Sequence, residues 1–419
     1  MAAWRDCKLD DLLQIKHGFA FLGEHFGNAG THVVLTPGNF LEEGGFKEKS
    51  DKAKWYSGPI PADYVLNEGD LIVAMTEQAE GLLGSSALIP RSGVYLHNQR
   101  LGLVQIRDEK KADKHFLYYV FNSKPVRQQI RASASGTKIR HTAPSRIADV
   151  KVRVPPLPEQ RRIAGILTAY DELIENNQRR IRILETMARA LYREWFVHFR
   201  APGLESNPRI DSALGPIPKG WEVKKLAELC IRMESGGTPR RSKSEYWDGG
   251  DIDWYKTGEL WDGFLFESQE KMTALGQRES TARLFEPGTI LMAIYGSPTV
   301  GRLGIVTRQA SCNQAALGLV ANPTIISQTF LYFVLFSLRD HFNGLAQGAA
   351  QQNISKEKVA NALAVVPPRK LVSDFDRVAV PIFDQLQTLQ RQTQNLRRTR
   401  DLLLPRLLSG QVELHTKAV

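Results

Sequence analysis

Three stretches of this 419-residue chain carry side chains suited to an acidic polymer. Arg240, Arg241 and Lys243 lie beside Gly236-Gly237 in the run SGGTPRRSK, the densest basic loop of the sequence. Lys138, Arg140 and His141 occupy a polar loop just before a strand-like run, and Gln351, Gln352 and Asn353 occupy the corresponding loop further along. Arg, Gln and Asn can make paired hydrogen bonds with base edges in a major groove, while Lys neutralises phosphate. The chemistry on offer is nucleic-acid binding, set against the plainer reading of each loop as solvated polar surface. Asn98-Gln99-Arg100 and Asn313-Gln314 offer the same side-chain types. The repeated Asn-Gln is better read as satisfying backbone groups at a strand start.

Chemistry of other kinds finds no footing. No G-x-x-x-x-G-K-[ST] loop cradles a nucleotide phosphate, and no glycine-rich fingerprint follows a strand. No Asn/Asp/Ser-Pro-Pro-aromatic motif occurs. The two Pro-Pro pairs are flanked by Val154 and Leu157 and by Val366 and Arg369, which present no carboxamide or carboxylate to an exocyclic amine. The nine histidines form no i, i+4 metal pair. Asp149-x-Lys151 matches only the tail of a nuclease motif and has no partner acid. The reading is of a chain with no catalytic residue and no metal site of its own. Formal net charge is +10, which points to an acidic partner. Three scattered cysteines, no signal-peptide pattern and no apolar run of membrane length suggest a cytoplasmic protein with no membrane partner.

The elements that must position these loops follow a repeated plan. From Pro158 to about Phe199 the sequence is a heptad pattern. Its a positions are Ile163, Tyr170, Asn177, Leu184 and Leu191, and its d positions are Leu167, Ile174, Ile181, Ala188 and Trp195. Prolines with Glu159 and Gln160 suit its start, and Pro202-Gly203 its end. A second such stretch places Phe375, Ile382, Leu389, Leu396 and Leu403 at a, with Ala379, Leu386, Thr393, Arg400 and Leu407 at d. Val-Pro-Pro leads into both.

The regions ahead of the two helices match by landmarks. Trp4, Leu9 and Leu12 answer Trp221, Leu226 and Leu229, and Gly69 with its strand answers Gly288 with its own. Strands are expected over 70–75 and 101–106 in the first region, and over 289–294 and 316–320 in the second. Lys114–Arg131 reads as one or two short helices interrupted at Pro125, answered by Thr329–Phe342. The fold class expected is therefore α+β: two similar α/β domains, each followed by a long helix, with the two helices pairing with each other. Boundaries fall at 1–153 and 219–366 for the domains and 154–200 and 367–410 for the helices, with a linker over 201–218 and a tail over 411–419.

These residues resemble the specificity subunit of type I restriction–modification systems. The resemblance rests on Val-Pro-Pro-Leu-Pro-Glu-Gln at 154–160, Gly-Pro-Ile-Pro-Lys-Gly-Trp at 215–221 and Leu-Leu-Leu-Pro-Arg-Leu-Leu-Ser-Gly at 402–410. The second lead-in, Val366-Pro367-Pro368-Arg369-Lys370, lacks the Leu-Pro-Glu-Gln continuation. The resemblance implies that each domain is a target-recognition domain reading one half of a split site in double-stranded DNA, and that the two helices form an antiparallel coiled coil that sets the gap. It further implies two modification (methyltransferase) subunits docked on the helices, with restriction subunits in a cleaving assembly. S-adenosylmethionine, ATP and Mg would sit on those partners, with no cofactor on this chain.

An antiparallel pair sets each a residue against a d residue. Ile163 opposite Leu407 gives the layers Leu167–Leu403, Ile174–Leu396, Ile181–Leu389, Leu184–Leu386 and Trp195–Phe375, with Asn177 opposite Thr393 and Tyr170 facing Arg400. About forty helical residues would span roughly 60 Å. The competing reading is a coiled-coil protein-interaction scaffold without DNA specificity. Its discriminator is the salt dependence of DNA retention.

Overall fold

Short β-prone runs punctuated by Gly, Asn and Asp form twisted sheets here, and the two heptad stretches form the long helices. The computed structural model describes residues 4–49, 52–77, 81–136, 139–204, 207–296, 299–346, 353–412 and 414. Two compact units divide the chain: residues 1–174 with 395–419, and residues 175–394.

In the first unit four antiparallel strands run in the order Leu13–His17, Leu101–Ile106, Leu71–Ala74, Ser86–Leu88. Leu71 to Ala74 are all buried because both faces of the sheet are covered. Leu71 and Val73 join Phe116 and Leu117 of the helix Lys114–Asn122, whereas Ile72 and Ala74 join Val33, Leu35 and Tyr95 beneath a smaller sheet. In that sheet His32–Val34 and Tyr95–Leu96 pair in parallel. Arg5–Lys8 pairs with Lys151–Val154 and so ties the start of the chain to the strand leading into the first long helix.

The second unit repeats the plan. Cys230–Ser235, Ala316–Ala321, Ile290–Ala293 and Leu303–Val306 form the matching sheet, extended by Gly263–Leu265. Ile252–Tyr255 and Ala310–Cys312 pair in parallel, as their counterparts do. Glu222–Lys225 pairs with Leu363–Val366. The expected strands therefore form within a residue or two of their predicted limits. The stretch 114–131 is two helices, Lys114–Asn122 and Lys124–Ala132, with Pro125 in the first turn of the second, where its missing N–H costs nothing.

The first long helix is α-helical over Leu157–Tyr192 and closes with a π turn over Arg193–Val197. It stops ahead of Pro202-Gly203, where Phe199 takes a positive φ of 57° and stacks edge-on against Trp221. The second long helix spans Arg369–Leu408 and passes through Pro381 on its exposed face.

Within each unit the two helices run antiparallel. In the first, Ile163 and Leu167 share a core with Leu407 and Leu403. In the second, Leu184 packs into a core holding Leu386, and the rings of Trp195 and Phe375 meet at 6.1 Å. Asn177 and Thr393 are both buried, and Thr393 turns its hydroxyl back to the Leu389 carbonyl at 2.8 Å. One expected layer is different. The guanidinium of Arg400 does not stack on Tyr170; it donates to Asp171 at 2.7 Å and to Asp401 at 2.9 Å. Burial alone would lower its pKa, but the two carboxylates raise it above the ordinary arginine value. A carboxylate one residue away outcompetes an aromatic face for a half-buried cation.

Candidate nucleic-acid interface

The loop carrying Arg140 and His141 is a narrow hairpin at one edge of the first unit. Backbone bonds between Ser135 and His141, at 2.9 and 2.8 Å, close it. Gly136 makes the turn at φ 95°, and a Cβ there would lie 2.1 Å from the Ile139 carbonyl oxygen. Arg140–His141 then pairs antiparallel with Thr76–Glu77. The His141 ring nitrogen Nδ1 lies 3.2 Å from the Thr76 hydroxyl, while Arg140 is half-buried and His141 exposed. Lys138 lies outside the described residues. Exposed Gln99 and Arg100 border this hairpin, because Met75 donates to the Arg100 carbonyl and accepts from the Thr142 N–H. Asn98 has the backbone role expected of it, accepting the Arg100 N–H at 3.0 Å.

The second unit has the same construction. Tyr295 bridges Asn353 where Thr76 faces His141, and Ile354 donates to the Ile294 carbonyl at 2.9 Å. Gln351 and Gln352 lie outside the described residues. The carboxamide oxygen of Asn353 is buried and has no hydrogen-bond partner among the described residues, and neither has that of Asn313. Gln314 is drawn into the neighbouring loop, accepting from the Thr238 hydroxyl at 2.5 Å.

The three basic residues of that loop have different surroundings. Arg241 lies over Trp247 with its guanidinium carbon 3.9 Å from the ring centre, 4.6 Å from that of Trp254, and donates to Glu270 at 2.6 Å. Lys256 donates to the same carboxylate at 2.8 Å, and these two cations hold Glu270 below the usual glutamate range. Lys243 donates to the Tyr246 hydroxyl at 2.8 Å and faces Glu245 and Glu279. The hydrogen bond to Tyr246 and, after it, the Glu245 carboxylate raise its pKa. Arg240 is exposed, and its guanidinium makes no hydrogen bond or ion pair among the described residues. The equivalent loop of the first unit carries Phe19, Phe21 and Phe26, which pack ring to ring with one another and with Tyr56 of a nearby strand at 5.0–5.4 Å.

Sequence reasoning missed the set of residues that fastens each domain to its long helix. Gln160, fully buried, accepts from the Asp113 N–H at 3.0 Å and donates to the Lys111 and Pro155 carbonyls at 3.0 and 2.9 Å. Gln390 accepts from the Phe264 N–H at 2.9 Å, and Phe383 packs on Tyr332 and Phe333. Phe383 and Gln390 sit just off the heptad seam. The only signal was an apolar stripe widened by Phe383 beside Ile382. Asp149 is exposed and pairs with Lys8 at 2.7 Å. His97 is buried and donates its Nε2–H to the Leu101 carbonyl, and burial takes its pKa down to about 4. Among the described residues no group of His, Cys, Asp and Glu is placed to hold a metal ion.

The family model described as type I restriction modification DNA specificity domain matches this chain twice, over residues 1–186 and 218–397. The chain belongs to that family. It is a specificity subunit, the non-catalytic DNA-recognition component of such a system. The type I restriction enzyme MjaIX specificity subunit of Methanocaldococcus jannaschii is 27% identical over 304 residues, covering 71% of this chain and 69% of its own length. The EcoBI specificity subunit of Escherichia coli is 22% identical over 413 residues, covering 94% of this chain and 82% of its own length. Among solved structures, the type I restriction-modification S subunit from M. genitalium shares the fold at a TM-score of 0.68 and 16% identity, covering 99% of this chain and 97% of its own. Within this specificity subunit the paired matches divide much as the repeated sheets do, and no helix among the described residues is long and apolar enough to cross a membrane.

Proposed function

We propose that this specificity subunit reads a bipartite site in double-stranded DNA, one half with residues 1–153 and the other with residues 219–366. The observation that carries the reading is the twice-built edge: the same bridge holds His141 beside Thr76 and Asn353 beside Tyr295, and different side chains stand on it. A shared frame with divergent chemistry is what two half-sites require. Arg140, His141 and Lys138 would serve one half, and Asn353, Gln351, Gln352 and the loop of Arg240, Arg241 and Lys243 the other. The Gln carboxamides match the donor–acceptor pair of adenine, a paired contact closed to Asn353 while its carboxamide oxygen is buried. The first long helix would offer modification subunits a docking surface in the second unit, where Ile183 and Met187 are exposed. In this reading two modification subunits bind there, restriction subunits join a cleaving assembly, and the complex works in the cytoplasm.

DNA retention measured across a salt series tests the reading. A DNA reader loses affinity log-linearly as salt rises, because each neutralised phosphate releases counterions. A protein-interaction scaffold without DNA specificity holds duplex only through its net charge, alike for every sequence and released as salt rises to physiological levels.

A further inference from the structure

The basic loop of the second domain divides its work among residues that look equivalent in sequence. Arg241 has both a face and an edge engaged. Trp247 and Trp254, themselves edge to face at 5.1 Å, flank the guanidinium, and Glu270 takes one of its N–H groups. To reach a phosphate it would have to leave both rings and the carboxylate. Cation–π contact and a charge-assisted hydrogen bond both oppose that move.

The same two tryptophans fix the backbone beside it. Trp254 donates its indole N–H to the Gly237 carbonyl at 2.9 Å, and Trp247 donates its own to the Arg240 carbonyl at 3.4 Å. The Lys243 N–H turns back to the Arg240 carbonyl at 3.2 Å. Gly237 lies so close to Thr281 that a Cβ would meet its backbone at 2.6 Å. Lys243 is held near Glu245 and Glu279, which offset its charge. Arg240 is thus an unneutralised, exposed cation on a backbone pinned from both sides. Such a mount lowers the ordering cost of a contact.

We propose that Arg240 is the phosphate-contacting cation of this loop, and that Arg241 is a positioning residue that mounts it through Trp247, Trp254 and Glu270. This rests on the DNA-reading function proposed above. It separates two adjacent arginines that sequence alone treats as one basic patch.

The test uses the full chain in complex with its modification subunit and a fluorescein-labelled 30-base-pair duplex of mixed sequence, followed by anisotropy across a salt series. One lost phosphate contact lowers the slope of log affinity against log salt by about 0.9, or about eightfold in affinity at 0.1 M salt. Arg240→Ala shows that loss. Arg241→Ala shows part or all of that loss, and the double variant Arg240→Ala with Arg241→Ala shows no more than Arg240→Ala alone. Trp247→Leu removes no charge yet lowers the slope as Arg241→Ala does, and it replaces that variant if Arg241→Ala fails to fold. Tryptophan emission of the free protein shifts with Arg241→Ala and not with Arg240→Ala. An unchanged slope in Arg240→Ala overturns the contact. A double variant that loses about twice the single slope makes Arg241 a contact itself and overturns its positioning role, as does a wild-type slope in Trp247→Leu. Absence of salt-dependent DNA binding by the unaltered complex would sink the DNA-reading function rather than this division of labour.

Discussion

The two places where a recognition domain meets its long helix share a topology and differ in chemistry. In the first, Gln160 is a polar clamp, its carboxamide engaging one backbone N–H and two carbonyls. Tyr119 adds a hydroxyl to Asp171 at 2.7 Å, the same carboxylate that receives Arg400. In the second, the position corresponding to Gln160 is Val372, fully buried in an apolar core. There Tyr192, Phe196, Phe330, Phe333 and Phe375 stack at 4.9–5.6 Å, with Ser327 donating to Asp376 at 2.7 Å as the polar accompaniment. Directional hydrogen bonds fix one orientation, whereas an aromatic cluster holds by burial and tolerates small adjustments. The Leu-Pro-Glu-Gln motif is therefore present once because only one junction is built around its glutamine.

The largest expected effect comes from breaking the apolar junction. Phe196→Ala should cost about 3–5 kcal/mol of stability, since the cavity lies among rings that cannot collapse into it. Denaturant unfolding measures this. The polar junction should break next. Gln160→Leu strands the Asp113 N–H and two carbonyls and should cost about 2–4 kcal/mol. Sharpening the comparison, Val372→Gln should also destabilise, because a carboxamide without partners is buried there. If Val372→Gln were neutral, the contrast between the junctions would be one of residue names only.

Much of this architecture could be read from period and punctuation. The heptads located both helices, the family resemblance supplied their antiparallel sense, and the Trp195–Phe375 layer met its expectation because both rings are large and apolar. Arg400 went to Asp171 instead of Tyr170 because heptad letters rank positions by direction and carry nothing about competing partners one residue away. The clamps were illegible for a related reason. Gln160 and Gln390 look like solvated helix positions until a domain is folded against that face. At the candidate interface, sequence found the matched loops but could not separate Arg240 from Arg241, because tryptophans at 247 and 254 decide between them.

Smaller effects sharpen the comparison further. Arg400→Ala leaves Asp171 half-buried with only the Tyr119 hydroxyl and should cost about 1–2 kcal/mol, confined to the first unit. A pH effect should be smaller still and confined to the second. Glu270, held below its ordinary value of 4.5 by Lys256 and Arg241, contributes stability above that value and loses it as pH falls through its folded pKa. Emission from Trp247 and Trp254 should therefore change only on acidification below about 4.5 and be flat through neutral pH. A change centred near neutrality would mean that another group governs the loop.

The central claim is that one frame, built twice, reads two different half-sites. The direct measurement exchanges residues 219–366 for the equivalent segment of a relative and selects bound sequences from a randomised duplex library with the assembled complex. The account predicts that one half of the selected site changes while the other half keeps its bases. A change in both halves together, or in neither, would contradict it.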